Sequence, residues 1–260
     1  MSAVPVETRA EGSEVMNAAI RSDLAHGLFF PVYQPFVNLA RGHVQGYEAF
    51  VRRSRSGAES RPAAFLPAAS GSDLICDLDT WVLRQATTQL ADWHRSVGTA
   101  DLIIAINLAD EHVRQARVIT DVFSTLAATG IEPDRLLVDV VCDETPTNAD
   151  ALTHLTILRR LGVCVCLDVC VLASGSAKDV ARLPVDIVKL HPGCLDAAHA
   201  APERVVRRVE ALQDAGLPIV AGGIETAEQL EFARLLGCEW GQGFHLGAPL
   251  PADLINVATA

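Results

Sequence analysis

The regular exchange of short β-rich runs with stretches long enough for a helix constrains this chain more than any other feature. Runs rich in branched and aromatic residues occur at 29–37, 43–51, 102–108, 135–141, 163–168, 185–190, 217–221 and 238–244. Their length and composition read as eight strands. Only the first two are joined by a short turn, at 38–42, and therefore pair antiparallel. The others leave room for the helical crossover that parallel neighbours need. A hairpin followed by strand–helix alternation implies an α/β protein, a modified TIM-type (β/α)8 barrel with its first strand antiparallel. Functional groups in such a barrel gather at the C-terminal ends of the strands. Glu48, Asn107, Asp139, Asp168, Lys189, Glu225 and Gln242 stand at the ends of separate runs.

Helix punctuation supports the alternation. Thr226 caps the segment 227–236, Gln229 follows three residues later as in a capping box, and Gly237 ends it. In 73–94, Leu74, Leu78, Trp81 and Val82 recur at helical spacing and read as core. The polar residues 1–13 read as a flexible N-terminal segment and 14–260 as one barrel domain, without a repeat or a linker to divide it. The segment 54–71 is the longest loop candidate, a lid or a mobile excursion.

With half of its 260 residues apolar, the chain can bury a full core. Its 32 acidic residues outnumber 21 basic ones, and pairs such as Arg52-Arg53 and Arg207-Arg208 are short and separated. A nucleic-acid duplex needs a denser basic face, so it is not the expected ligand. No apolar run approaches the ~20 residues that a bilayer core requires. The acidic start lacks a basic flank and an apolar core, which points to the cytoplasm rather than a membrane or export. Seven irregularly spaced cysteines fit a reducing compartment.

The motifs, in order and spacing, resemble those of the EAL family, bacterial phosphodiesterases that linearise cyclic di-GMP. Tyr33-Gln34-Pro35 and Gly46-Tyr47-Glu48-Ala49-Phe50-Val51-Arg52 match the opening strand and signature, with Phe50 in place of the usual Leu. Leu78-Asp79-Thr80-Trp81, Ile106-Asn107-Leu108, Val188-Lys189-Leu190, Gly223-Ile224-Glu225-Thr226 and Gly241-Gln242-Gly243-Phe244 follow. The resemblance runs from about 15 to 251. It implies ligand contacts at Gln34, Glu48, Phe50, Arg52, Asp79, Asn107, Gln242 and Pro249, and a homodimer as a possible form. It also implies a metal site at Glu48, Asn107, Asp139 and Asp168, with Asp139 one methylene shorter than the family's Glu. Lys189 and Glu225 fall at catalytic positions, here vestigial.

Phosphodiester cleavage near neutral pH uses metal-activated water and cations that offset phosphoryl charge. Mg²⁺ or Mn²⁺ would suit an all-oxygen ligand set. By the same resemblance, Val169 stands where active members carry the second of two adjacent aspartates, and Gly222 where they carry a Glu that assists the water. Val141 and Cys142 replace a Thr-Glu pair, and His191 replaces an Asp. The expectation is one metal site at most and little or no hydrolysis. The chain then reads as a cyclic di-GMP receptor or a regulatory protein-binding module. A slow metal-dependent phosphodiesterase, or a ligand-independent barrel that binds a transcription or motility regulator, is the alternative.

Blander readings stay open at single residues. Asn107 fits a strand end, Lys189 a surface position, and Glu225 the approach to a helix N-terminus, where a carboxylate is favourable. Tyr33 and Trp81 read as packing. Cys142, Cys164, Cys166 and Cys170 would suit zinc better than Mg²⁺, yet small buried hydrophobes are the simpler account and zinc is not expected.

Overall fold

The structure is a computed structural model that describes residues 6–96, 99–141, 148–169, 177–200 and 202–257. Nine strands form one sheet: β1 (Phe29–Asn38), β2 (Val44–Arg55), β3 (Ala58–Ser60), β4 (Ile103–Ala109), β5 (Leu136–Val141), β6 (Cys164–Val169), β7 (Ile187–Leu190), β8 (Ile219–Ala221) and β9 (Trp240–Gln242). Its order is β1-β9-β8-β7-β6-β5-β4-β2-β3, and a β1–β2 pairing closes eight of them into a barrel. β1 is antiparallel to both β2 and β9. The remaining pairs around the ring are parallel. This is the α/β barrel with a reversed first strand that the alternation implied.

Helices α1 (Val6–Ala25), α2 (Leu66–Ala69), α3 (Asp73–His94), α4 (Asp110–Val113), α5 (Arg117–Thr129), α6 (Ala149–Arg160), α7 (Ala177–Val180), α8 (Gly193–Ala200), α9 (Pro202–Asp214) and α10 (Ala227–Leu235) join the strands. α1 thus reaches back into the polar leader. It is tied to β2 by a buried ion pair in which Arg53 Nε donates to Asp23 Oδ2 at 2.7 Å. On α3 the periodic Leu74, Leu78, Leu83 and Leu90 are fully buried. Its Trp93 packs against the rings of Tyr33 and Tyr47 at 5.0 and 4.9 Å. Tyr33 is therefore packing, as is the half-buried Trp81, whose ring lies 6.2 Å from that of Phe29.

Alternation along the strands divides the core in two. Ile104, Ile106 and Leu108 of β4, with Leu136, Val138 and Val140 of β5, join the large cluster between sheet and helices. Burying each such side chain contributes ~1.5–3 kcal/mol. The opposite faces supply a smaller cluster inside the ring: Phe36, Ala105, Leu137, Cys166, Ile187 and Val220. Gly46 makes room for it, because a Cβ there would lie 2.6 Å from the Phe36 ring and 2.2 Å from the Ile103 carbonyl oxygen. This apolar floor carries the polar layer above it.

The segment 54–71 departs from the expected loop. β2 continues to Arg55, turns through Ser56 and Gly57 at φ 53° and 79°, and returns as β3. Two residues with positive φ make the turn whose twist suits a two-residue hairpin. Phe65 and Ala69 bury the rest of the segment against the core. Ser70 Oγ and the Gly71 amide then donate to Glu111 Oε1 at 2.7 and 2.9 Å.

Candidate carboxylate–lysine site

On β5, β6 and β7 the inner face changes from apolar to charged at the next inward position, from Leu137 to Asp139, Cys166 to Asp168 and Ile187 to Lys189. On β2, Glu48, Phe50 and Arg52 share a face by their spacing of two. Gln34 stands opposite Glu48 across the hairpin. Asn107 is in register with Asp139, and Asp168 with Lys189. Lys189 Nζ donates to Glu48 Oε2 at 2.6 Å and to Asp139 Oδ2 at 2.8 Å. Asn107 Nδ2 donates to Glu48 Oε1 at 2.6 Å. Lys189 is thus no surface lysine, and the Asn107 side chain does more than end a strand. Glu48 and Asp139 are only 2% and 1% exposed. Their charges depend on these partners to replace the water they have lost.

Three carboxylates against one ammonium leave an excess of negative charge. Burial pushes the Asp139 carboxyl up to about 6; Lys189 opposes this, while Glu48 and Asp168 add to it. Asp168 is raised too, first by burial, with Lys189 and His191 pulling the other way. Burial disfavours the Lys189 ammonium, but Asp139 and Glu48 outweigh it and hold Lys189 well above its ordinary value. The carboxylates hold the Lys189 ammonium firmly and the cluster remains short of positive charge.

Among the described residues no group of three or more His, Cys, Asp or Glu side chains is arranged to hold a metal ion. The space between Glu48 and Asp139 belongs to the lysine. The chemistry of the oxygens nevertheless fits one hard cation, since Asp139 Oδ1 is buried without a partner and Asp168 stands across from Lys189. Glu48, Asn107, Asp139 and Asp168 are the residues that would hold it. Such an ion would supply charge neutralisation and activation of water. Val169 offers no donor for a second.

The other expected residues surround this cluster unevenly. Gln34 Nε2 donates to the Gly247 carbonyl at 3.0 Å, and Leu250 bridges to Tyr33, which brings the half-buried Pro249 beside β1. Gln242 pairs with Phe36 at the foot of the site. Arg52 lies at the rim, its Nε 3.3 Å from Glu59 Oε1 of β3 and its guanidinium 5.9 Å from the centre of the Phe50 ring. Burial lowers its pKa, against the opposing pull of Glu59. Glu59 therefore competes for the group that would meet a phosphate.

Asp79 joins α3 to the end of β4. Its Oδ2 accepts the Ala109 amide at 2.8 Å and lies 3.3 Å from Nδ1 of His112. The ring of His112 is wholly buried, with Nε2 3.1 Å from Asp121 Oδ2. Glu225 stands apart: the residue is exposed, and its amide donates to Gln229 Oε1 at 2.6 Å as part of the start of α10. Among the described residues it joins none of the cluster's hydrogen bonds.

Gly222 is enclosed. Its amide donates to the Leu190 carbonyl at 3.1 Å, and a Cβ there would lie 2.7 Å from that oxygen. Cys166 is buried and Cys164 half-buried. Burial pushes the Cys164 thiol up to about 12 and that of Cys166 well above its ordinary value, which keeps both protonated as buried thiols. Cys142 and Cys170 lie outside the described residues.

Motif reading missed Glu59, His112, Asp121 and Trp240. The Ser56-Gly57 pair was a signal for the hairpin that delivers Glu59. Nothing in the sequence marked His112, whose partners come together only through the packing of α3, α4 and α5.

A closed barrel with a reversed first strand and a charged inner layer defines the class: the chain belongs to the EAL domain family, whose model matches residues 17–249. It is similar to the bifunctional diguanylate cyclase/cyclic di-GMP phosphodiesterase MucR of Pseudomonas aeruginosa, 34% identical over 234 residues that cover 88% of this chain and 34% of that protein. A solved structure described as the PaMucR phosphodiesterase, cyclic di-GMP complex, matches with a TM-score of 0.84 at 30% identity, covering 92% of this chain and 98% of that one. The Klebsiella pneumoniae BlrP1 calcium/cyclic di-GMP complex shares the fold, with a TM-score of 0.72 at 21% identity over 86% of this chain and 56% of that one. The chain spans 29–34% of the length of the first four curated relatives it matches.

Proposed function

We propose that this chain is a catalytically impaired EAL domain that works in bacterial cyclic di-GMP signalling as a receptor or as a regulatory protein-binding module. The observation that carries this reading is the closure at Gly222. The position where active relatives carry a water-assisting Glu has no side chain, and the Leu190 carbonyl fills the space where a Cβ would begin. Val169 removes a second-metal ligand from the same step. A lost cation and a lost proton acceptor act on one reaction, so their costs overlap, yet either alone reduces rates by orders of magnitude.

Ligand recognition is better supported than chemistry. Gln34, Glu48, Asn107 and Gln242 remain on the inner face, with Phe50, Arg52, Asp79 and Pro249 around them. The chain is 34% identical to a relative named as a cyclic di-GMP phosphodiesterase. Arg52 is the phosphate partner in this reading, since its planar fork donates two parallel bonds, and binding draws it away from Glu59. A cytoplasmic location and a homodimer fit the proposal, and a protein partner would read out the occupied state.

The second reading, a slow phosphodiesterase with one Mg²⁺ or Mn²⁺ ion, is favoured by the unpartnered Asp139 Oδ1. Calorimetric titration with cyclic di-GMP in Ca²⁺ and then in Mg²⁺, followed by assay of the recovered nucleotide, separates the two. Binding that is lost in Arg52→Ala, without linear dinucleotide, is the result expected of a receptor. Turnover at ~1 s⁻¹ or faster, an ordinary enzyme rate, overturns impairment. No binding in either ion overturns the receptor and leaves the protein-binding module.

A further inference from the structure

Where β3 folds back on β2, charged side chains gather at the rim of the site. The ladder pairs Arg55 with Ala58, Ser54 with Glu59 and Arg53 with Ser60. Arg61 follows with an extended backbone, φ −83° and ψ 160°, so the next step sets it across from Arg52. Residues opposite one another in an antiparallel pair share a face, and long side chains also reach their diagonal neighbours. Arg52, Arg61 and Glu59 therefore stand on one face, which continues that of Glu48 and Phe50 along β2. Arg53 and Arg55 point the other way, toward Asp23 of α1.

Two opposed guanidinium groups repel one another. Burial lowers the Arg52 pKa, Glu59 opposes this, and Arg61 adds to the lowering. Glu59 Oε1 lies 3.3 Å from Arg52 Nε, and Arg52 Nη1 donates to the Val51 carbonyl at 3.0 Å. Among the described residues, Arg52 Nη2 and the side-chain nitrogens of the exposed Arg61 have no hydrogen-bond or ion-pair partner. One carboxylate thus faces two cations. The side chain of Glu59 is 55% exposed, so its pairing with Arg52 is of the weak, solvated kind.

The carboxylate layer beneath, with Glu48, Asp139 and Asp168 against one Lys189, repels an anion, so an anion is held from the rim. A phosphodiester carries two unesterified oxygens that point apart, and each can accept from one planar fork. We propose that Arg61 is a second phosphate-binding residue, that with Arg52 it forms a two-arginine fork for a phosphoryl group of a cyclic dinucleotide, and that Glu59 is the internal anion this group displaces. The inference rests on the reading of Arg52 as the ligand's phosphate partner. It adds a residue outside the motif series and makes Glu59 a brake on affinity.

Calorimetric titration of the full chain with cyclic di-GMP in Ca²⁺ tests it. Arg61→Ala is expected to weaken binding about tenfold, and Arg61→Lys to recover only part of the loss, since an ammonium offers a point charge in place of a fork. Glu59→Gln is expected to tighten binding about threefold, the scale of an exposed competing pair. Unchanged affinity in Arg61→Ala, or no gain in Glu59→Gln, overturns the proposal and leaves the receptor reading standing. Inorganic pyrophosphate separates the two ideas from the other side, followed through the arginine Nε–H signals in NMR, with Arg52→Lys and Arg61→Lys to identify them. Movement of both signals without any binding of cyclic di-GMP supports the fork and sinks only the receptor reading. Movement of Arg52 alone, or of neither, overturns the fork.

Discussion

At the scale of single residues, Lys189 decides the character of the site. Its ammonium lies between two carboxylates that are almost wholly buried, so removing it leaves them either to ionise without compensation or to take up a proton. Lys189→Met is expected to cost ~3–5 kcal/mol, the usual penalty for breaking a buried pair from one side. Urea unfolding at neutral pH reads this directly, and an unchanged midpoint refutes it. Asp139 titrates in the opposite sense. Its folded pKa of about 6 lies above the ordinary 3.8, so the folded state holds this proton more tightly than the unfolded chain. The resulting stabilisation is complete below about 3.8 and is lost as the pH rises through 6. Asp139→Asn should therefore gain in melting temperature relative to the natural chain as the pH is raised from 4 to 7. A difference independent of pH would show that the carboxylate is ionised throughout. Gly222→Glu tests the closure: pushing a Cβ against the Leu190 carbonyl is expected to cost ~1–3 kcal/mol, in the range of overpacking, without restoring hydrolysis. Linear dinucleotide from this variant would mean that the loop yields more readily than its geometry implies.

Elements show best what the sequence made legible. Helix α3 occupies the segment that its apolar spacing marked, and α10 begins with the reciprocal capping box expected of Thr226 and Gln229. Local signals fixed both, because a cap and a repeat of apolar residues act within one or two turns. Thr226→Ala removes the oxygen that accepts the Gln229 amide, and a loss of about 1 kcal/mol is expected. Thermal unfolding checks it, and a change within error would assign the helix start to packing alone. The hairpin of β2 and β3 went unread because Arg, Ser, Gly and Pro in 54–71 also describe a loop; only the paired positive φ values at Ser56 and Gly57 distinguish the two. Site residues were readable one strand at a time. Their order along the chain marked Glu48, Asn107, Asp139 and Lys189 as a group, but not that the lysine would lie between the carboxylates, which depends on the curvature of the ring. The contact between Arg52 and Glu59 was hidden for the same reason as β3.

For the whole molecule, among the described residues no helix is long and apolar enough to cross a membrane, and the barrel holds one charged layer above one apolar floor. The ring is fastened unevenly. β4 and β5 run together from Ile104 and Leu136 to Ala109 and Val141, and β5 continues into β6 over Leu137 to Val141. On the far side, β8 meets β9 only at Val220–Trp240 and Ala221–Gly241, and β9 meets β1 only over Phe36, Val37 and Asn38. Amide hydrogens along β8 and β9 are thus expected to exchange with solvent sooner than those of β4 and β5, which mass spectrometry of deuterated fragments would show; uniform protection would contradict it. A cylinder stitched tightly on one side and loosely on the other is expected to yield first along its loose seam, which here runs beside Gln242 and away from Asn107 and Asp139.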